Sequence, residues 1–176
     1  MRIGFCGTMS VGKTTLVNAL KELPEFKDYK FATERSKYLM ELGIPLNTDS
    51  TLKGQCVFLA ERVGELMQEK IITDRTIIDI IAFTKAAKSI TYPERTDFVE
   101  LASNFIGDYD HIFYVSPEGV GMEDNGVRET NLEYRDLIDF IIQNVVDKYK
   151  YRMKNYHIIK GTTEERIKQV KQALSL

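Results

Sequence analysis

The segment GTMSVGKT, from Gly7 to Thr14, has the residue types and spacing of a phosphate-binding loop. Its glycines permit backbone angles that side chains forbid, so that successive N–H groups can point inward around an anion. A helix that starts at the end of such a loop adds the positive end of its dipole. Lys13 can then reach the β- and γ-phosphates of ATP, and the Thr14 hydroxyl can ligate Mg²⁺. The residues predicted to hold the phosphates are Gly7, Thr8, Ser10, Val11, Gly12, Lys13, Thr14 and Thr15.

An acid followed by an arginine, Asp74-Arg75, ends the strand-like run Ile71–Thr73. A motor ATPase usually ends this strand in Asp-Glu, and a GTPase switch needs guanine-reading and switch motifs that do not occur at the expected places. Asp-Arg is frequent here in small kinases, in which the acid touches Mg²⁺ or takes the proton from the attacking hydroxyl. We therefore predict Asp74 to be a catalytic and metal-binding residue and Arg75 to bind substrate. The alternative is a surface carboxylate that pairs with Arg75.

Two further pairs of polar residues are candidates for binding the phosphate acceptor. Glu34-Arg35 ends another strand-like run, where the carboxylate can hold or deprotonate a hydroxyl and the arginine can hold phosphate or stack on a base. The alternative for this pair is a solvated helix start. Gln55 and Arg62 lie two turns apart on one face of a predicted helix, where they can read a base edge or a sugar. The alternative for them is an ordinary polar surface.

The stretch SPEGVGMEDNGVRETNLEYR, from Ser116 to Arg135, follows a strand-like run directly and contains three glycines and two arginines. This composition favours a mobile lid that closes over phosphate. We predict that Arg128 is catalytic and that Arg135 binds substrate, because either guanidinium can stabilise charge on the transferring phosphoryl group. The alternative is a surface loop with charged residues beside a helix.

Short, mostly apolar runs predict five strands that are buried on both faces. These runs are Arg2–Cys6, Tyr29–Ala32, Ile71–Thr73, His111–Val115 and Tyr156–Lys160. Helix-like runs separate them, which predicts an α/β fold with a parallel sheet and helices on both faces. Capping boxes at Thr130–Glu133 and Thr162–Glu165 predict the starts of the helix Leu132–Tyr149 and of a C-terminal helix. The carboxyl ends of the strands should gather the candidate residues at one edge of the sheet.

The run Thr51–Glu69 is predicted to be a helix, because its apolar residues recur at alternating steps of four and three. These residues are Leu52, Cys56, Leu59, Val63 and Leu66. Asp49 or Ser50 is predicted to cap this helix. The apolar stripe can face the core or a second copy of the chain, so the sequence leaves the oligomeric state open.

Composition restricts the class of protein. The 176 residues suit one domain, residues 1–176, with a full-sized core. The net charge is -2, which weighs against strong non-specific binding to nucleic acid. Two cysteines, Cys6 and Cys56, make no disulfide framework, and we expect Cys6 to be a core residue. No apolar run is long enough to span a membrane and no signal peptide is recognisable, so we expect a cytoplasmic protein without a membrane partner.

Together these motifs resemble a family of small P-loop kinases. The resemblance spans nearly the whole chain and rests on the loop Gly7–Thr14, Glu34-Arg35, Asp74-Arg75 with Asp79 following, and the lid segment Asp124–Arg128. The family includes the nicotinamide riboside kinase domain of a bacterial NAD regulator and many phage-encoded proteins labelled AAA. It is similar, more distantly, to deoxynucleoside and nucleoside monophosphate kinases.

The resemblance implies a P-loop NTPase three-layer sandwich with a five-stranded parallel sheet. It further implies ATP with Mg²⁺ and transfer of the γ-phosphoryl group to a hydroxyl of a nucleoside-like acceptor. Lys13, Thr14, Asp74 and Arg128 match positions with those roles. Asp74, or Glu34 if Asp74 is occupied by metal, would deprotonate the acceptor hydroxyl.

Three functions are compatible with these residues. The leading hypothesis is an ATP-dependent kinase for a nucleoside or nucleotide. The alternative is a kinase of the phage type that phosphorylates 5-hydroxymethyluracil in DNA, which would act in the host cytoplasm and would take DNA as its acceptor. The segment Tyr149–Tyr156, which mixes tyrosines with Lys150, Arg152 and Lys154, can touch nucleic acid or be a solvated helix end. The third hypothesis is a regulatory module that binds ATP.

Overall fold

Five short parallel strands form the sheet in this computed structural model, which describes residues 1–33, 36–118 and 132–176. The strands are β1 Arg2–Cys6, β2 Lys30–Ala32, β3 Ile71–Asp74, β4 His111–Val115 and β5 Tyr156–Ile159. Their spatial order is β2-β3-β1-β4-β5, and every pair of neighbours is parallel. The carboxyl end of β1 therefore lies between those of β3 and β4, at the edge of the sheet where α/β proteins bind ligands.

Helices cover both faces of this sheet. In the described part of the chain they are α1 Lys13–Lys21, α2 Ser36–Glu41, α3 Leu52–Glu65, α4 Ile77–Ala86, α5 Tyr92–Ser103, α6 Leu132–Tyr149 and α7 Thr163–Ala173. One apolar core lies between the sheet and α1 and α7, and a second lies between the sheet and α3, α4, α5 and α6. The structure is thus a three-layer α/β sandwich.

The central strand β1 contributes to both cores, because successive side chains of a strand point to opposite faces. Ile3 and Phe5 pack under α1 and α7, whereas Cys6 packs in the core on the other face. All three side chains are fully buried. Burial on both faces explains why β1 is a nearly continuous apolar run, whereas the edge strands β2 and β5 are only partly buried, unlike the prediction.

All five predicted strands are confirmed, and their bounds differ from the predicted ones by at most one residue at either end. The fold class predicted from the sequence is also confirmed. The capping box of α7 is present, since the Thr162 hydroxyl accepts from the Glu165 N–H and the Glu165 carboxylate accepts from the Thr162 N–H. The box predicted at Thr130–Glu133 lies partly outside the described residues.

The start of α3 corrects the predicted cap. The Thr51 hydroxyl accepts a hydrogen bond from the Gly54 N–H at 3.2 Å, so Thr51 is the cap and neither Asp49 nor Ser50 is. The helix also ends at Glu65, earlier than predicted. It stops there because the chain must turn into β3 only a few residues later.

The buried face of α3 also differs from the predicted apolar stripe. Leu59 is buried as expected, but Cys56 is exposed. Gln55 and Arg62 are buried instead, so the interpretation of these two residues as an ordinary polar surface is wrong. The buried face of α3 is therefore partly polar. A pattern of apolar residues cannot predict such a face.

None of the helices among the described residues is long and apolar enough to cross a membrane. The same residues contain no group of three or more histidine, cysteine or acidic side chains that could hold a metal ion. Cys6 and Cys56 are both free thiols, the first buried and the second exposed.

Gly4 lets a helix cap and a tyrosine approach the centre of the sheet. A Cβ atom at this position would lie 2.5 Å from the Thr76 methyl carbon and 2.6 Å from the Tyr109 ring. Both neighbours are at most 1% exposed, so neither can swing away into solvent.

We expect Gly4→Ala to lower the free energy of unfolding by about 1–3 kcal/mol, because it overpacks the core. Urea denaturation measures this change. Gly64→Ala is the matched control, since a Cβ atom at Gly64 meets nothing within 4 Å. Gly64 lies near the end of α3, where alanine should raise stability by up to about 1 kcal/mol. Equal effects of the two substitutions would contradict the close approach at Gly4.

Two imidazoles stack between β4 and β5. The ring centroids of His111 and His157 are 5.3 Å apart, and Nδ1 of His111 lies 3.1 Å from Nε2 of His157. Burial lowers the pKa of both rings, and the charge of His157 lowers the pKa of His111 further. The folded state therefore binds fewer protons than the unfolded state near the usual histidine pKa of about 6.5. Stability contributed by this pair is present above that pH and is lost as the pH falls.

We expect the free energy of unfolding to decrease between about pH 7 and pH 5.5, because the unfolded chain takes up protons that the folded pair resists. The chain has only two histidines, so the double variant His111→Gln/His157→Gln should remove most of this pH dependence. Urea denaturation at the two pH values measures it in both proteins. The same decrease in both would show that other groups cause it.

Candidate active site

The loop from Gly7 to Gly12 joins β1 to α1 and packs against the end of β4. Gly7 has a φ of 149°, and a Cβ atom there would lie 2.7 Å from the carbonyl oxygen of Val115. Gly12 has a φ of 83° and directly precedes α1. Only glycine adopts both conformations without strain. With Ser10 also at a positive φ of 56°, the backbone curls into the concave shape that binds anions in such loops.

The Lys13 side chain lies along this concave backbone. Its ammonium group donates to the carbonyl oxygens of Gly7 and Thr8, each at 2.7 Å. Lys13 is 6% exposed. Because a buried ammonium group is costly unless it is hydrogen-bonded, these carbonyls keep a full positive charge in place at the loop.

The Thr14 hydroxyl and the Asp74 carboxylate meet where α1 begins and β3 ends. Thr14 Oγ1 donates to Asp74 Oδ2 at 2.5 Å. Asp74 is 1% exposed, so it is not the surface carboxylate of the alternative interpretation. A hydroxyl oxygen and a carboxylate oxygen are the hard ligands that Mg²⁺ prefers. The two residues therefore fit a magnesium ion held at the mouth of the loop.

Asp79 connects the loop to the start of α4. Its Oδ1 accepts from the Gly7 N–H at 3.1 Å, and its Oδ2 accepts from the Thr76 N–H at 2.7 Å and from the Thr76 hydroxyl at 2.9 Å. Asp79 is completely buried. Burial raises the pKa of the Cys6 thiol at the end of β1, and the negative charge of Asp79 raises it further.

The sequence motifs indicate no site role for Asp79. The spacing of Thr76 and Asp79 is that of a capping pair, and this was the available signal for its place at the start of α4. Its bond to the loop could not be anticipated, since Gly7 lies far away along the chain.

Arg166 of α7 supports the loop from the opposite side. Its Nη1 donates to the carbonyl oxygen of Val11 at 2.6 Å, and its Nη2 donates to the carbonyl oxygen of Ser116 at 3.3 Å. The residue is 3% exposed, and burial lowers its pKa. No sequence signal connects Arg166 to the loop, because 155 residues separate it from Val11.

A backbone carbonyl at the start of α6 forms a hydrogen bond with the phosphate-binding loop. The Thr8 hydroxyl donates to the carbonyl oxygen of Arg135 at 2.8 Å. Arg135 is 6% exposed and borders a cleft that also contains Ser116 and Glu118. The predicted substrate residue Arg135 therefore lies beside the phosphate-binding loop.

A second cavity opens on the other side of the loop, between α3 and α4. Gln55 and Phe58 of α3 face Asp79 and Phe83 of α4 across it, and Arg75 lies at its wall. Gln55 is 3% exposed, and the lining combines apolar side chains with polar ones, among them Gln55, Arg75 and Asp79. Such a combination is typical of a site for a flat, partly polar ligand.

Arg75 adopts an unusual backbone conformation at this cavity. Its φ is 87°, which is costly for a long side chain. Its guanidinium carbon lies 4.8 Å from the centroid of the Phe83 ring, and its backbone N–H donates to the carbonyl oxygen of Phe5 at 3.0 Å. A strained residue of this kind persists only where the surrounding structure holds it in place. Such residues concentrate at functional sites.

The structure brings most of the predicted site residues to one edge of the sheet. Those whose positions it describes are Gly7, Thr8, Ser10, Val11, Gly12, Lys13, Thr14, Thr15, Gln55, Asp74, Arg75 and Arg135. Glu34, Arg35 and Arg128 lie outside the described residues, and so does the lid segment Asp124–Arg128. The roles assigned to all of these residues stay predictions.

Residues 2–166 match the profile of the AAA domain family. The chain belongs to this family. The match confirms the family resemblance that the loop and strand-end motifs predicted. No curated protein matches the sequence of this AAA domain at a significant level.

Solved structures share the fold of this AAA domain at low sequence identity. A deoxyadenosine kinase from M. mycoides, solved with the products dCMP and dCDP, has a TM-score of 0.70 and 17% identity, with 99% of this chain and 98% of that chain covered. The NadR protein in complex with NR has a TM-score of 0.74 and 16% identity. The match covers 99% of this chain and 51% of the NadR chain. YorR from Bacillus subtilis, in complex with phosphorylated GDP, has a TM-score of 0.57 and 17% identity, with 99% and 95% covered.

We expect Asp79→Asn to destabilise the AAA domain. Both carboxylate oxygens of Asp79 accept hydrogen bonds, and in the variant an amide nitrogen, which cannot accept, replaces one of them. A buried donor left without an acceptor costs about 1–3 kcal/mol, which a urea titration measures as a lower midpoint. Asp97→Asn is the control, since Asp97 is an exposed residue of α5. If both variants unfold at the same urea concentration, the bonds of Asp79 do not hold the loop.

Proposed function

We propose that this AAA domain is an ATP-dependent kinase that transfers the γ-phosphoryl group to a hydroxyl of a nucleoside or nucleotide. The observation that carries the proposal is that Asp74 at the end of β3 accepts a hydrogen bond from Thr14 beside the phosphate-binding loop, while the next residue, Arg75, lines the cavity that Gln55 also lines. A donor site and an acceptor site on either side of one buried carboxylate is the arrangement that phosphoryl transfer needs.

On the donor side, the curled loop and the dipole of α1 would hold the phosphates. Lys13 would exchange its loop carbonyls for the β- and γ-phosphate oxygens, and would neutralise charge as the phosphoryl group leaves. Thr14 and Asp74 would hold Mg²⁺, which supplies further neutralisation of phosphate charge when it is bound.

On the acceptor side, the cavity between α3 and α4 has a volume of about 40 Å³, so it would widen to hold the base and sugar. The Gln55 amide can hydrogen-bond a base edge, while the rings of Phe58 and Phe83 supply the apolar walls. Arg75 would bring a positive charge beside the acceptor hydroxyl. Glu34 would accept the proton of that hydroxyl when Asp74 holds Mg²⁺, and Asp74 would accept it when the metal does not occupy its carboxylate.

Most of the acceleration would come from position and charge. Phosphoryl transfer requires little covalent chemistry from the protein, so holding the acceptor oxygen in line with the γ-phosphorus is the main task. Arg128 would add positive charge at the transferring group, as the sequence predicts. The proteins of shared fold support the acceptor class, since one is a deoxyadenosine kinase solved with deoxynucleotides and another was solved with NR.

We expect Lys13→Ala to lower kcat for phosphoryl transfer by about 10²–10³-fold, because it removes charge stabilisation at the transferring group. Release of ADP and transfer of labelled γ-phosphate, both with Mg²⁺, measure this loss. Lys21→Ala is the matched control, since Lys21 is an exposed lysine in the last turn of the same helix. Full transfer by the Lys13 variant would contradict the proposal.

The same assay identifies the acceptor. Free nucleosides, nucleoside monophosphates, nicotinamide riboside, and DNA with and without 5-hydroxymethyluracil are offered in parallel. Label in a small molecule supports a metabolic kinase, whereas label only in modified DNA supports the DNA kinase. Binding of ATP with label in none of them would instead support a regulatory module and contradict the kinase.

A further inference from the structure

A groove lies far from the phosphate-binding loop, between α4, α5 and the end of α6. We call it the distal groove and define it by Lys85, Tyr92, Arg95, Lys148 and Arg152, which line it. Its volume is about 510 Å³. None of these residues has a place in the proposed kinase site.

The helices themselves set the distance of the distal groove from the loop. Lys85 comes eight residues after the start of α4 at Ile77, or about 12 Å along the helix axis. Lys148 comes thirteen residues after Arg135 in α6, or about 20 Å along its axis. Both helices approach the loop at their first turns, so the groove lies towards the opposite edge of the sheet.

Positive charge gathers in the distal groove without matching negative charge. Lys85, Arg95, Lys148 and Arg152 supply four cations, whereas Glu100 supplies the only carboxylate among the described lining residues. No ion pair in the described part of the chain involves any of the four cations. The whole chain has a net charge of -2, so its bulk composition does not explain this concentration.

The cations repel one another. Burial lowers the pKa of Lys85, and the charges of Lys148 and Arg95 lower it further. Arg95 is held in the groove because its guanidinium donates to the carbonyl oxygens of Ala87 and Ile90, each at 2.9 Å. A bound anion would relieve this repulsion, since it would face four cations that α4, α5, α6 and the turn after α6 bring to one groove.

Aromatic rings accompany the cations. Tyr92 is 78% exposed at the rim, and Tyr151, which follows α6, is 75% exposed. The guanidinium carbon of Arg152 lies 5.5 Å from the centroid of the Tyr151 ring and 5.8 Å from that of the buried Tyr149 ring. Exposed rings beside a row of cations offer a stacking face for a base next to a contact for a phosphate.

We propose that the distal groove binds single-stranded nucleic acid, with phosphates on the four cations and bases stacked on Tyr92 and Tyr151. A polynucleotide fits better than a free nucleotide, because the groove is an open trough with its rings at the rim. A mononucleotide site would enclose most of its ligand. The proposal does not rest on the kinase function, since a strand held here need not be the acceptor.

Fluorescence anisotropy with a labelled oligonucleotide of about 12 thymidines tests the proposal. The double variant Lys85→Glu/Lys148→Glu should bind it about tenfold or more weakly at low salt. The slope of log affinity against log salt concentration should also decrease by about 1.4, because two phosphate contacts are lost. The matched control is Lys27→Glu/Lys168→Glu, which makes the same change in net charge at two exposed lysines elsewhere.

Two further measurements separate the distal groove from the phosphate-binding loop and from charge alone. Tyr92→Ala should weaken oligonucleotide binding about fivefold or more, whereas Tyr92→Phe should retain it, because stacking needs the ring and not the hydroxyl. Saturating ATP with Mg²⁺ should leave binding unchanged, and so should Lys13→Ala. Phosphoryl transfer to a small acceptor by the Lys85/Lys148 variant should equal that of the parent protein.

The outcomes that would overturn the proposal are equally specific. Equal losses in the Lys85/Lys148 and Lys27/Lys168 variants would show that only net charge matters. Displacement of the oligonucleotide by ATP would place it at the phosphate-binding loop. The Lys13→Ala protein could also bind free ATP as tightly as it binds the oligonucleotide. If the Lys85/Lys148 variant lost this ATP binding, the groove would be a mononucleotide site.

Discussion

One buried carboxylate, that of Asp79, holds the phosphate-binding loop and the start of α4 in a fixed relation. Its two oxygens accept from Gly7 on one side and from Thr76 on the other. A loop that binds anions must keep its N–H groups in position before the ligand arrives, since any reorganisation subtracts from binding. Because Asp79 also faces the cavity between α3 and α4, the same side chain sets the spacing of the proposed donor and acceptor sites.

The sheet order makes this relation possible. β1 lies between β3 and β4, so the loop that leaves β1 has the end of β3 on one side and the end of β4 on the other. β3 ends at Asp74, and the next residue, Arg75, lines the proposed acceptor cavity. Directly after β4 comes Ser116, whose carbonyl oxygen accepts a hydrogen bond from Arg166. The chemistry of the site is thus divided between neighbouring strand ends, and the tight packing of Gly4 under Thr76 keeps α4 close to the central strand.

Local features of the sequence predicted the elements of this fold well. Each strand is a short apolar run between turns or caps, and α7 begins at the capping box that its sequence contains. The motif from Gly7 to Thr14 indicated the loop because its backbone conformation requires glycine at fixed positions. The strand order, by contrast, depends on which helix faces pack together, and no local run of residues contains that information.

The residues that the sequence did not reveal all act across long separations. Asp79 and Arg166 contact the loop from α4 and α7, and neither belongs to a motif that includes the loop. The spacing of Gln55 and Arg62 places them on one face of α3, but the burial of Gln55 depends on how α3 is rotated against α4. The exposed position of Cys56 has the same cause. Tertiary packing decided these cases, and helical periodicity alone could not.

The bond between Arg166 and Val11 has a consequence for how the protein is made. During synthesis the loop leaves the ribosome first, but the guanidinium that supports it emerges only after 155 further residues. Chains fold as they emerge, in the order in which their contacts become available. The nascent loop therefore lacks this support until α7 has been made, which is after all five strands of the sheet have been synthesised.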